Sequence, residues 1–196
     1  MNYQVRLMKY EDIDEVEKIH IILFPVRYQR KVFEEYLKPN YLALLLTIHE
    51  EGAEKIIGVS MSSRSWVSKF SYVKKSYLGT FGVIPEYQKK GLGSFLLRLT
   101  CRILGNYYQC SSMSLHMLRK DKEVYNFYTK NGLNPIQVLE KYYSFSEPRE
   151  DALLMSCDLN KIDFIERDDI LPSSEVKELL TGKQVIGYFA PWFSWP

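Results

Sequence analysis

The densest chemistry in this chain of 196 residues lies at 83–94, read Val-Ile-Pro-Glu-Tyr-Gln-Lys-Lys-Gly-Leu-Gly-Ser. An apolar run ends there, a basic turn follows, and two glycines open a segment with one apolar face. Glycine lets backbone N–H groups approach a ligand closely. The first turn of a helix adds unpaired N–H donors at the positive end of its dipole. Together they form an anion site suited to a pyrophosphate, and Lys89 and Lys90 add charge. The pattern is not GxGxxG, because Leu96 stands at the third glycine, and no GK[ST] follows to make a P-loop. A bare GxG is commonly just a turn, so spacing alone leaves both readings open.

A second group of residues could move protons. His116 is an isolated polar group among Leu115, Met117 and Leu118, so it reads as a hydrogen-bonded core histidine or as a base. Tyr77 precedes the apolar part of its strand, and Gly79 is its next neighbour on the same face. That glycine would leave room for a substrate. Tyr128 sits beside Val124 and Phe127 as a packing residue or as a hydroxyl at a site. Phe24, Pro25, Val26 and Tyr28 form a loop that either covers the core or lines an apolar pocket. Tyr142 and Tyr143 are adjacent on a strand, so one must point away unless a bulge intervenes. Cys101, Cys110 and Cys157 are odd in number and far apart, which fits neither a disulfide framework nor a metal site. No metal is expected, and a reduced, intracellular compartment is.

The elements that must hold these residues follow from periodicity. Strands are predicted at 3–8, 41–48, 55–62, 77–84, 113–118, 136–145 and 152–159. Helices are predicted at 11–24, 30–37, 91–105 and 122–130. Leu92, Phe95, Leu96, Leu99 and Ile103 share one face of the longest helix. Asp121 is the expected N-cap of the last, and Asn131-Gly132 its stop. The order β-α-α-β-β-β-α-β-α-β-β describes a mixed α/β fold with a parallel crossover at 77–118. Residues 63–75 are polar and carry no clear period. Apolar residues at 46% and charged residues at 26% describe a globular chain. A net charge of +2 argues against a nucleic-acid binder. No run approaches the ~20 apolar residues of a membrane span, and the acidic N-terminal stretch does not resemble a signal or transit peptide.

The turn Gln88-Lys89-Lys90-Gly91-Leu92-Gly93 resembles the Q/R-x-x-G-x-G/A acetyl-CoA signature of the GCN5-related N-acetyltransferases (GNAT), and the element order over 1–160 is similar to that fold. The resemblance implies splayed central strands with the pantetheine arm of acetyl-CoA between them. Gly82 and Val83 would then meet that arm with backbone groups, and residues 88–94, Ser94 included, would hold the phosphates. Phe24-Pro25-Val26-Arg27-Tyr28, Leu115-His116-Met117, Phe127-Tyr128 and Tyr142-Tyr143 resemble segments of the Met-directed protein N-terminal acetyltransferases, the NatE catalytic subunit foremost and NatF less closely. On that resemblance Tyr77 and His116 deprotonate the acceptor amine, and Tyr128 sits near the CoA sulfur. Phe24, Pro25, Val26, Tyr28, Tyr142 and Tyr143 would bind the peptide. Asp121 replaces the asparagine usual at a CoA contact.

The implied activity is acetyl transfer from acetyl-CoA to the α-amine of protein N-termini, Met-starting ones, by direct attack in a ternary complex. An α-amine has a reference pKa near ~8 against ~10.4 for Lys, so a modest base suffices. The alternatives are transfer to Lys side chains or small amines and polyamines, and a non-catalytic acyl-CoA-binding scaffold. The implied setting is cytoplasmic, with ribosome-associated subunits as partners and CoA as product. Residues 161–196 form an extension expected to pack on the domain. Its 4 basic and 6 acidic side chains give −2, leaving +4 for residues 1–160. Trp192, Phe193 and Trp195 close it, but an acidic, Pro-broken tail is a poor membrane anchor.

Overall fold

Residues 3–66, 73–164 and 166–181 are described by a computed structural model of the chain. β1 (Tyr3–Leu7) leads into α1 (Ile13–Leu23) and α2 (Arg30–Glu35). The meander β2 (Tyr41–Glu50), β3 (Ala53–Trp66) and β4 (Lys74–Val83) follows. Then come α3 (Leu92–Asn106), β5 (Cys110–Leu118), α4 (Lys122–Lys130), β6 (Asn134–Tyr143) and β7 (Glu150–Asp158). Up to this point the order is the β-α-α-β-β-β-α-β-α-β-β read from the sequence. A short strand β8 (Ile170–Pro172) and a helix α5 (Ser174–Thr181) lie beyond it. The aromatic end at 192–195 lies outside the described residues.

All eight strands join one sheet in the order β6-β7-β5-β4-β3-β2-β1-β8. β2 is buried from Leu42 to Ile48, because helices and neighbouring strands cover it on both faces. α3 lays Leu92, Phe95, Leu96, Leu99 and Ile103 into the core. Within that apolar layer the Thr100 and Ser60 hydroxyls satisfy each other at 2.7 Å. α1 ends because Pro25 forces the preceding Phe24 into an extended conformation. β3 and β4 run further than their apolar cores suggest, to Trp66 and from Lys74. Backbone pairing extends this hairpin through polar residues that carry no burial signal.

The feature that positions the site is the junction of β4 and β5. They run parallel, with α3 as the crossover, and pair from Lys74↔Cys110 to Tyr77↔Ser114. Past Tyr77 the ladder stops. β5 continues on its other edge against β7 from Ser112 to Leu118, while β4 continues against β3. The two strands therefore splay. On β4, Leu78 faces Ser62 and Thr80 faces Met61, so Gly79 is an extra, bulged residue.

At the other side of the sheet, Arg6 grips the Asp12 carboxylate with two hydrogen bonds of 2.7 Å and reaches Glu54 at 2.6 Å. Burial pushes the Asp12 carboxyl up, but hydrogen bonds from Arg6 and the Lys9 N–H outweigh it and hold the group below its usual range. Removing the guanidinium leaves a buried carboxylate unpaired, so Arg6→Ala should cost about 3–5 kcal/mol at neutral pH. A depressed carboxyl stabilises above its unfolded pKa of ~3.9 and loses that contribution as pH falls through its folded value. The gap between wild type and Arg6→Ala should therefore narrow in urea titrations repeated in acid.

Candidate active site

The strand-to-helix turn at 83–94 is built as its residues predict. Gly91 takes φ +77° at the N-cap of α3, a left-handed conformation that a side chain disfavours. The N–H groups of the first helical turn, at Leu92, Gly93 and Ser94, then point out of the helix end without intrahelical partners. Gln88 folds back, its Nε2 donating to the Val83 carbonyl at 2.8 Å, which ties the turn to the end of β4. Lys89 lies outward in an exposed ion pair with Glu123 at 3.1 Å. The Lys90 ammonium rests 4.9 Å over the Tyr87 ring. Asn131 donates to the Ser94 hydroxyl at 3.1 Å and to the Phe127 carbonyl, so the stop of α4 is bonded to the start of α3.

Where β4 and β5 part, the Tyr77 hydroxyl meets His116 Nδ1 at 2.9 Å. Both residues lie on one face, because Tyr77 pairs with Ser114 and His116 is Ser114's next neighbour on that face. Burial pushes the Tyr77 phenol up to about 12, Tyr142 adds to it, and the bond to His116 pulls the other way. Burial also lowers His116 below its ordinary 6.5. At neutral pH the pair is a neutral imidazole on a neutral phenol. The Tyr142 ring stacks on His116 with centroids 4.7 Å apart. Tyr143 packs edge-on to Tyr142 at 5.0 Å, and its phenol is raised by burial and by Tyr77, Tyr142 and Tyr28.

Both adjacent tyrosines thus reach the same site, and the reason is a break in β6. Between Leu139↔Ala152 and Tyr143↔Glu150, three residues of β6 face one of β7. Lys141 sits in that break at φ +50°, its N–H held by Asp151 at 2.9 Å. Across the slot, Phe24 and Tyr28 pack edge-to-face at 6.2 Å, while Pro25 and Val26 lie exposed between them. Tyr128 is buried on the opposite face of β4, near Phe81 and Phe127. Burial first, then Tyr143 and Tyr77, raise its phenol far above the ordinary value. Asp121 caps α4 by accepting the Val124 N–H at 3.0 Å, which engages one of its carboxylate oxygens. Gly82 and Val83 end the part of β4 that lies beyond the β5 ladder.

Three features were not read from the sequence. Gly79 does not leave open room: Tyr36, just past α2, places its hydroxyl where a Cβ at 79 would stand, with its Cζ 3.5 Å from that point. His20, an unremarkable helix residue in sequence, is buried and donates Nδ1–H to the Val16 carbonyl at 2.8 Å. Its Nε2 must therefore accept from the Thr80 hydroxyl at 3.0 Å, which fixes the tautomer and fastens α1 to β4. Phe24, Tyr28 and Phe33 surround that ring, so His20 sets the loop that carries them. Arg167 reaches from the extension to donate to the Lys90 carbonyl at 3.0 Å. A signal for Tyr36 existed in the pairing of an unusually small residue at 79 with a large one nearby, but contact is needed to connect them.

The arrangement suits a long ligand with a pyrophosphate at the α3 turn and an extended arm in the gap between β4 and β5. Beside that gap a phenol–imidazole pair can take a proton from an acceptor amine. Among the described residues no cluster of potential metal ligands occurs, and no helix is long and apolar enough to cross a membrane.

A model described as the acetyltransferase (GNAT) family matches residues 13–133. An N-alpha-acetyltransferase from Sulfurisphaera tokodaii is 27% identical over 80% of this chain and 93% of its own. The N-alpha-acetyltransferase 50 of Danio rerio is 22% identical over 73% of this chain and 81% of its own. Arabidopsis thaliana NAA60 in complex with acetyl-CoA shares the fold with a TM-score of 0.74 at 18% identity, covering 81% of this chain and 99% of that one. Arabidopsis thaliana Naa50 in complex with the bisubstrate analogue CoA-Ac-MVNAL superposes with a TM-score of 0.67 at 22% identity, covering 80% and 98%.

The turn's dependence on a left-handed residue is open to test. Gly91→Ala should lower the free energy of unfolding by about 1–2 kcal/mol. Gly91→Asn, whose side chain tolerates that region, should lose less. Equal denaturant midpoints for all three proteins would show that the turn does not need the left-handed conformation.

Proposed function

The chain belongs to the acetyltransferase (GNAT) family, and from that premise we propose that it acetylates the α-amine of protein N-termini, Met-starting ones foremost. The observation that carries this reading is the Tyr77–His116 contact opening onto an aromatic slot. The acceptor walls are aromatic rather than acidic, which favours a peptide N-terminus over a polyamine. The relatives named N-alpha-acetyltransferase support the same acceptor, and the Naa50 complex carries a Met-first peptide analogue.

Acetyl-CoA supplies a thioester carbonyl when bound. The α3 turn, through the N–H groups of Leu92, Gly93 and Ser94, would hold its phosphates, with Gln88 and Gly91 fixing the turn and Lys89 and Lys90 adding charge. Gly82 and Val83 would flank the arm, the Val83 carbonyl being already taken by Gln88. Phe24, Pro25, Val26, Tyr28, Tyr142 and Tyr143 would hold the peptide. With Nδ1 as acceptor, the Tyr77 hydroxyl passes its proton to His116 as it takes one from the incoming ammonium. The amine is then free to attack, and the imidazolium returns its proton to water. Tyr128, kept protonated by burial, would give a proton to the departing thiolate and be made neutral again by the second proton that the nitrogen sheds, through solvent, as the amide forms. A covalent enzyme intermediate is not required. A cytoplasmic setting belongs to this reading as well. Ribosome-associated partner subunits belong to the same proposal.

The test is an acetylation assay on peptides varied at the first two positions. Met-starting peptides should exceed Ser-starting and internal-Lys peptides, and equal rates would refute the specificity. His116→Ala or Tyr77→Phe should lower turnover by about 10²-fold with the fold intact; wild-type rates in both would sink the assigned roles. Because burial lowers His116, the neutral base survives to below pH 6.5, and the acid limb should lie there. His116→Gln should lack that limb.

A further inference from the structure

The slot beside Tyr77 should be deep at Gly79, where β4 carries no side chain. It is not, because another element fills the space. Tyr36 follows α2 and crosses to β4, and a Cβ built on Gly79 would collide with its hydroxyl oxygen. The ring itself is less tight, its Cζ lying 3.5 Å from that point. Gly79 is the bulged residue of β4, opposite neither Ser62 nor Met61, so it stands outside the regular ladder. Tyr36 is anchored from behind by an edge-on contact with Tyr41 at 5.1 Å. Its phenol is half-buried, raised to about 12 by burial and then by Tyr28, Tyr41 and Tyr77. Two of those neighbours, Tyr28 and Tyr77, belong to the slot. Among the described residues the Tyr36 hydroxyl makes no hydrogen bond. A half-buried hydroxyl facing a slot is a group that a ligand can satisfy.

We infer that Tyr36 is the specificity-determining floor of the acceptor slot: its side chain replaces the one missing at Gly79 and sets how large a first residue the slot admits. This rests on the reading that the acceptor is a peptide N-terminus. The small residue on β4 and the large one after α2 are two halves of one surface. A slot that looks widened in sequence is closed by a phenol that ends in a polar group. The first side chain of the peptide meets a hydroxyl where an aliphatic β4 side chain would offer only carbon.

The size swap gives a test with a built-in rescue. Gly79→Ala alone should drive the Tyr36 ring from its place and lower kcat/KM on Met-starting peptides about tenfold, with KM for acetyl-CoA unchanged. Adding Tyr36→Phe removes the colliding oxygen and should restore most of that loss. Tyr36→Ala deepens the slot, so peptides starting with Leu or Phe should gain about tenfold in kcat/KM relative to Ser-starting ones. Thermal melting of each variant reports folding, and if Tyr36→Ala melts below the assay temperature the Gly79→Ala and Tyr36→Phe pair decides. Full activity of Gly79→Ala, failure of the double variant to recover, or an unchanged peptide ranking in a folded Tyr36→Ala overturns this inference alone. Wild type that acetylates lysine side chains or polyamines and no peptide N-terminus overturns the underlying reading and this inference with it.

Discussion

Two parallel strands that separate inside a fold leave backbone N–H and C=O groups without ladder partners, and such groups must be bonded by something or held open to a ligand. The parting of β4 from β5 after Tyr77 and Ser114 is that constraint here. The rest of the site is arranged around it. The Tyr77–His116 hydrogen bond spans the gap where the backbone ladder ends, side chains taking over from main chain. Gly79 bulges a little further along, and α3 begins just past the end of β4 with its N-terminus beside the opening. The Gln88 amide closes on the last β4 carbonyl, so the turn before α3 is tied to the open strand edge. Tertiary covering makes the splay tolerable: β5 is fully paired with β7 on its far edge and β4 with β3.

Electrostatics in the gap follow from what surrounds it. Tyr36, Tyr77, Tyr128 and Tyr143 all have phenols raised by burial, and His116 is lowered for the same reason. Desolvation disfavours whichever form is charged, so acids and bases alike are pressed toward neutrality. A desolvated site of neutral phenols and a neutral imidazole lowers the cost of taking a proton from an ammonium ion, and in the proposed mechanism the Tyr77–His116 pair is what receives it. Stacking of Tyr142 on His116 helps hold the ring where the phenol can reach Nδ1.

Much of this was legible in the sequence, and the rest had physical reasons to be hidden. The helical face of α3, the glycine-led turn that opens it and the cap at Asp121 are local patterns, and each appears where the residues put it. His116 and Tyr77 were visible as polar groups in apolar strands, but only the parallel register brings them to 2.9 Å. The placement of Tyr142 and Tyr143 together needed a break in β6, set by Lys141 in a left-handed conformation that no glycine advertises. Gly79 misled because a missing side chain says nothing about which distant residue fills the space. His20 was silent for the same reason, since its partner Thr80 lies 60 residues away. What sequence periodicity supplies is which face a residue occupies; what it withholds is who comes to meet it.

The extension shows how charge counted along the chain differs from charge in space. Residues 161–196 are net acidic, which alone would seem to oppose an anion site. Yet Arg167 lies against the turn, its Nη1 donating to the Lys90 carbonyl at 3.0 Å. Asp169 holds the guanidinium from the other side with contacts of 2.9 and 2.7 Å, fixing its direction. From the next residue on, β8 pairs with β1 in parallel, and the Tyr3 N–H donates to the Asp169 carbonyl at 2.9 Å. The segment is therefore pinned to the sheet edge at one end and to the anion turn at the other. Phe164 packs on Phe95, and the Asp163 carbonyl accepts from Arg98, so α3 is gripped along its outer face as well. The Lys90 carbonyl is thereby occupied by a guanidinium donor whose own charge Asp169 balances from the far side. Of the six acidic side chains in the extension, Asp169 is the one that orients this arginine, so the sign of the segment's net charge does not tell which charge it sets beside the turn.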